Sequence, residues 1–189
     1  TALSLIAGEL NASGIETEIL NVGTKPVGGC IGCGGCAKGN GCVFGGVVNE
    51  AIEKARTADA FVFGTPVHYA SASGNMTSFL DRLAYAGGKY LAYKPAAICA
   101  SARRAGTTAT LDQLAKYPEF FHMPLVSGSY WPMVHGSNPE QVLQDEEGCA
   151  VMKELGRNMA WLLQCIEAGK AAGISHPENP RRPMTNFIR

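Results

Sequence analysis

The run KPVGGCIGCGGCAKGNGC, residues 25–42, places Cys30, Cys33, Cys36 and Cys42 in one glycine-rich stretch, four of the chain's seven cysteines. Gaps of two, two and five residues are short enough for successive sulfurs to converge on one centre. That is the donor set of a four-iron cluster, with zinc as a second occupant. The last gap and Val43 after Cys42 depart from the bacterial ferredoxin pattern, which closes with a shorter gap and a proline. The third reading is a flexible loop of unliganded thiols, which would use the same glycines. The placing of a fourth cysteine where a fourth ligand is needed favours the cluster. Cys99, Cys149 and Cys165 stand apart and read as small packed apolar groups.

Two further stretches hold groups suited to a ligand. GTPVHYASASGN, residues 64–75, follows an apolar run and offers backbone donors with His68 and Tyr69 as flat platforms, which suits a planar heteroaromatic molecule. SARRAGT, residues 101–107, combines small residues that let a backbone approach closely with Arg103 and Arg104, whose charge favours an anionic ring or phosphate. His122, His135 and His176 are scattered and read as solvated or structural. The chain has no G-x-S-x-G elbow, no G-x-G-x-x-G and no Walker A motif, which argues against a serine hydrolase, a dinucleotide Rossmann enzyme and a P-loop enzyme.

The elements that must position these groups alternate. Leu3, Ile6 and Leu10 recur at helical spacing before Gly14, and IETEILNV then alternates as a strand would. VVNEAIEKARTA reads as a helix and DAFVFGT as a buried strand. A helix carrying Met76, Phe79, Leu80 and Leu83 follows, then the strand PAAICAS, the helix TTATLDQLAKY closed by Pro118, and the strand PLVSGSY. A long helix from about residue 145 to 171 closes the order, with acidic residues at its positive end and a Met/Leu stripe as core. Residues 1–172 are expected to form one α/β domain, a doubly wound parallel sheet in three layers, and residues 173–189 a proline-rich tail. In such sheets ligands bind beyond the carboxyl ends of the strands, where all three stretches fall. This architecture ordinarily begins with a central strand, so the sequence is expected to lack its native beginning, a strand and the turn after it. Without them the chain is expected to be poorly stable.

At 189 residues and 46% hydrophobic the chain suits one well-buried domain. Sixteen basic residues balance sixteen acidic ones, so no net field draws it to nucleic acid or an anionic membrane. A small-molecule partner is expected. No apolar run is long enough to span a bilayer and the start lacks the features of a secretory signal, which points to the cytoplasm. Clustered cysteines of odd total in a reducing compartment suggest metal or redox chemistry rather than disulfides.

The stretch TPVHYASASGNMTSFLDRL resembles the second flavin-binding loop and following helix of the flavodoxin-like NADPH-dependent FMN reductases. The C-x2-C-x2-C-x5-C run resembles the compact cluster motif of their iron-sulfur flavoprotein subgroup. The likeness extends from residue 1 to about residue 172. It implies FMN held by Pro66, Val67, His68, Tyr69 and Ser71, with Ser101, Arg103, Arg104, Gly106 and Thr107 along its other edge. It also implies a 4Fe-4S cluster on Cys30, Cys33, Cys36 and Cys42, and NAD(P)H as co-substrate. The family's phosphate-binding turn is not in this sequence. The activity implied is FMN-dependent NAD(P)H oxidoreduction of a quinone, flavin or other small acceptor. The alternatives are an electron carrier between protein partners, ferredoxin among them, and a thiol or metal sensor built on the cysteine loop. Relatives of this fold work as oligomers, and SYWPM and the tail RRPMTNFIR offer apolar anchors for a homodimer.

Overall fold

The computed structural model describes residues 1–180 and 183–186. Helix α1 (Ala2–Ala12) ends at Ser13, and Gly14 takes the left-handed φ of 79° that the chain reversal requires. Then come α2 (Val47–Thr57), β1 (Phe61–His68), the short β2 (Ser71–Ala72), α3 (Gly74–Gly87), β3 (Ala96–Ala102), α4 (Thr107–Phe120), β4 (Met133–His135), the single turn α5 (Pro139–Val142) and α6 (Glu146–Ala171). The sheet order is β2-β1-β3-β4. β1 runs parallel to β3 from Phe61 opposite Ala96 to Pro66 opposite Ser101, and β3 runs parallel to β4. Among the described residues only the β1–β2 hairpin is antiparallel.

Period-two alternation divides the strands between two apolar cores. Phe63, Ala96, Ile98 and Ala100 face a core with α2, α3 and α4, while Ala97, Cys99 and Val134 face a second core with α1 and α6. The fold is therefore the expected three-layer α/β arrangement. Met152, Leu155 and Met159 of α6 are fully buried, each stabilising by about 1.5–3 kcal/mol relative to exposure. Asp145 begins α6 as its cap, with Oδ1 accepting from Gly148 N at 3.0 Å and Oδ2 from His135 N at 2.7 Å. One carboxylate thus ties the helix start to the end of β4.

Three elements differ from the sequence expectation. Residues 15–22 take no regular secondary structure and pair with no strand among the described residues. PLVSGSY contributes only the isolated parallel bridge of Leu125 to Ala96, and the strand beside β3 is Met133–His135. The reason is reach. Ala96 N and O bond Pro124 O and Val126 N, after which the chain swings out and returns so that Pro132 O accepts from Ala100 N. Pro118 does not end α4, which continues to Phe120. Its missing N–H costs one bond near the last turn, while its carbonyl accepts from both Phe121 N and Met123 N and so closes the helix two residues later. Among the described residues, no helix is long and apolar enough to cross a membrane.

Candidate functional site

The strand-end stretches meet. β1 runs as far as His68, so Pro66, Val67 and His68 are strand residues rather than loop, and His68 pairs with Ser71 across a two-residue turn. Both turn residues, Tyr69 (φ 51°) and Ala70 (φ 59°), have left-handed backbone, the geometry of the tight hairpin turn normally filled by Asn-Gly. Two residues with side chains held there store strain. The strain is carried by fixed neighbours: Gln113 Oε1 of α4 accepts from Ser71 Oγ at 2.7 Å and Ala72 N at 3.0 Å. The Tyr69 ring stands fully in solvent.

Gly106 packs against this turn from the other loop. Its φ is 99°, and a Cβ there would lie 2.6 Å from Ala70 Cα and 3.0 Å from Val67 Cγ1. Only glycine meets both demands. Thr107, the first residue of α4, is buried and donates from Oγ1 to Met133 Sδ at 3.1 Å. Ser101 is half-buried at the end of β3, and Arg103 and Arg104 are exposed. Beneath the turn, buried Thr65 Oγ1 accepts from Ser73 N at 3.1 Å, and Ser73 Oγ caps α3 by accepting from Met76 N at 3.3 Å. A hollow of about 420 Å³ adjoins, lined by Thr65, Pro66 and Ser101, the amino end of α1 and Ser137. Small residues, unblocked backbone, a free aromatic face and two arginines are the chemistry a planar anionic cofactor such as FMN requires.

The cysteine run lies beside α3 and is fixed by three side chains that the sequence reading did not single out. Asn75 Oδ1 accepts from Val27 N at 3.1 Å and its Nδ2 donates to Lys25 O at 3.1 Å. Asn49 of α2 brackets Cys42, accepting from its N at 2.8 Å and donating to its O at 3.0 Å. Arg82, only 6% exposed, donates to Cys42 Sγ at 3.2 Å, Gly28 O at 3.2 Å and Gly45 O at 2.9 Å. The signal for Asn75 and Arg82 is their spacing of seven, two turns along one face of α3. Cys30 and Cys33 are exposed and Cys36 and Cys42 half-buried. Among the described residues no group of three or more side chains could hold a metal ion, so the four sulfurs do not fit a cluster as they are placed here.

Of the other cysteines, Cys99 is buried and Cys149 half-buried, but Cys165 is exposed on the solvent side of α6, contrary to the packed role expected. Tyr130 and Trp131 of SYWPM are both about half exposed and pack edge to face, ring centroids 4.6 Å apart. Arg181, Arg182, Phe187 and Ile188 of the tail anchor lie outside the described residues. His122 and His176 each stack on the Tyr93 ring, with centroids 5.3 and 4.3 Å away, a structural role.

Comparison with known proteins identifies a family. The sequence profile described as NADPH-dependent FMN reductase matches residues 1–138. An iron-sulfur flavoprotein of Methanocaldococcus jannaschii is 28% identical over 175 residues, covering 88% of each chain. An iron-sulfur flavoprotein of Archaeoglobus fulgidus is 29% identical over 156 residues, 80% of this chain and 77% of that one. A solved structure titled flavone reductase superposes with a TM-score of 0.65 at 16% identity, over 88% of this chain and 58% of its own. An archaeal flavodoxin does so at 0.56 and 12% identity, over 86% and 88%.

Proposed function

Because the chain belongs to the NADPH-dependent FMN reductase family, we propose that it is an FMN-dependent oxidoreductase that takes reducing equivalents from NAD(P)H and passes them to a quinone, a free flavin or another small acceptor. The observation that carries this reading is the contact of Gly106 with Ala70, which joins the two strand-end loops into one surface. FMN, when bound, supplies the hydride and electron chemistry. The residues around it have positional work to do. The backbone of Pro66, Val67, His68, Tyr69 and Ser71 would hold one edge of the ring, with the exposed Tyr69 ring as a stacking face. Ser101, Gly106 and Thr107 would border the other edge, and Arg103 and Arg104 would bring positive charge to an anionic reduced ring. The test is FMN titration of the purified chain followed by NAD(P)H oxidation with a quinone acceptor. A chain that binds no FMN overturns the reading.

A second reading, an iron-sulfur flavoprotein that carries electrons between protein partners, ferredoxin among them, is favoured by the relatives' names and by the anchoring of Cys42. A 4Fe-4S cluster on Cys30, Cys33, Cys36 and Cys42 would require the loop to close further than it does here, since its sulfurs form no metal-holding group. Anaerobic purification with iron, sulfide and zinc assays decides it: about four irons per chain, lost in Cys36→Ala, support the cluster. Seven free thiols agree with a reducing, cytoplasmic setting. Exposed Tyr130 and Trp131 suit a homodimer interface, tested by light scattering.

A further inference from the structure

β4 ends on His135, a histidine at the carboxyl edge of the sheet. On the reading of the chain as an FMN-dependent oxidoreductase, on which this step rests, we propose that His135 is the proton donor to the electron acceptor. Its Nε2 would give a proton to a carbonyl oxygen of a quinone as that quinone is reduced.

The sheet brings His135 to the site. It lies opposite Ala102 at the last rung of the β3–β4 ladder, and Gly136 N donates to Ala102 O at 3.0 Å just beyond it. Arg103 and Arg104 follow Ala102 directly. Residues on either side of His135 touch the site. Met133 Sδ accepts from Thr107 Oγ1 at 3.1 Å, and Gly136, Ser137 and Asn138 line the hollow of about 420 Å³ that Thr65, Pro66 and Ser101 also line. Alternation along β4 sends Val134 into the α1/α6 core and puts His135 on the face of Met133, where Thr107 opens α4.

The ring is held from behind and free in front. Asp145 Oδ2 accepts from His135 N at 2.7 Å and stands 3.6 Å from Nδ1, while its Oδ1 is fixed as the cap of α6. Nε2 has no partner among the described residues, and the side chain is 41% exposed. An imidazole oriented by a carboxylate, with its second nitrogen open, is the arrangement that general acid catalysis uses.

Other side chains at this edge lack part of that arrangement. Arg103 and Arg104 cannot release a proton. The Thr107 hydroxyl hydrogen is committed to Met133. The Tyr69 ring stands fully in solvent, and His68 at the end of β1 is exposed with no side chain among the described residues to fix its ring.

Reduction of a quinone to a quinol adds one hydride and one proton. The hydride comes from NAD(P)H by way of the bound FMN. The proton comes from the protonated His135 ring: the Nε2–H bond breaks, an O–H bond forms on the quinone oxygen, and the neutral ring takes a proton back from solvent.

The test compares two acceptors on the FMN-loaded 189-residue chain with NADPH as donor. Menadione needs a hydride and a proton, whereas ferricyanide takes an electron and no proton. The ratio of kcat/KM for menadione to that for ferricyanide does not depend on how much of a sample is folded. In His135→Gln this ratio is expected to fall by about tenfold or more. In His135→Gly it is expected to fall likewise and to recover when imidazole is added. A ratio that keeps its parent value in His135→Gln, or one that falls in His68→Gln instead, overturns the proposal. A parent chain with no flavin-dependent ferricyanide turnover overturns the FMN reading and this step together.

Discussion

Arg82 Nε donates to Cys42 Sγ across 3.2 Å, and the rest of the guanidinium is taken up by the carbonyls of Gly28 and Gly45 and by the Phe44 ring 5.6 Å away. A buried cation thus closes the cysteine loop from inside, bridging its beginning and its end. Removing it leaves two carbonyls and a sulfur without their donor. Arg82→Gln is expected to lower unfolding free energy in urea by about 2–4 kcal/mol. Alkylation of Cys42 in the native protein is expected to become faster. A change under about 1 kcal/mol with unaltered alkylation would show that the loop holds itself.

Gly106 is the matching constraint on the flavin side. Gly106→Ala asks for a left-handed alanine at φ 99° and sets its Cβ 2.6 Å from the Ala70 backbone, where nothing can rotate aside. The expected cost is about 2 kcal/mol or more. Because the clash moves the 67–70 turn, FMN affinity is expected to fall by about tenfold, roughly 1.4 kcal/mol. Flavin fluorescence titration beside a thermal melt separates the two effects.

What the sequence made legible was whatever repeats. The stripes of α3 and α6 and the apolar runs of β1 and β3 each announce a face or a buried ladder, and the structure keeps them. The position of β4 was not legible, because LVSG and PMVH are equally short and apolar, and the choice depends on which carbonyl reaches Ala100 N. Arg82 in FLDRL reads as a solvent-facing helix residue, since its burial comes from a loop distant in sequence. The turn at Tyr69 and Ala70 was hidden for the opposite reason: its geometry calls for Asn and Gly, and neither is there.

That mismatch makes a prediction. Tyr69→Asn puts a residue suited to left-handed backbone where φ is 51° and is expected to raise stability by about 0.5–1 kcal/mol. The same change removes the exposed ring and is expected to weaken FMN binding. Ala70→Gly relieves φ 59° without touching the ring, and is expected to stabilise while leaving affinity near its original value. Equal FMN affinity in Tyr69→Asn and the parent chain would show that the ring plays no part in holding the cofactor.

Cys99 sets a pH dependence on the alkaline side. Burial between the sheet and α1 pushes its thiol up to about 12, because an anion there would lose its hydration. In the unfolded chain the thiol ionises near its ordinary value of about 8.5. Above that pH the unfolded state releases a proton that the folded state keeps, so stability falls as pH rises from about 8.5 towards about 12. Other groups act in the same range, Cys149 among them: its thiol is raised by burial and by Asp145 and slopes the same way. Tyr117, raised by burial and by its hydrogen bond to Asp81, slopes the same way from a higher starting pH, while Lys94, lowered by burial, slopes against it. The contribution of Cys99 is therefore read as a difference: urea unfolding of the parent chain and Cys99→Ala at pH 7, 9 and 10.5. The variant loses packing at every pH, and the gap between the curves is expected to narrow as pH rises. A constant gap would mean that the thiol ionises in the folded protein as readily as in the unfolded one.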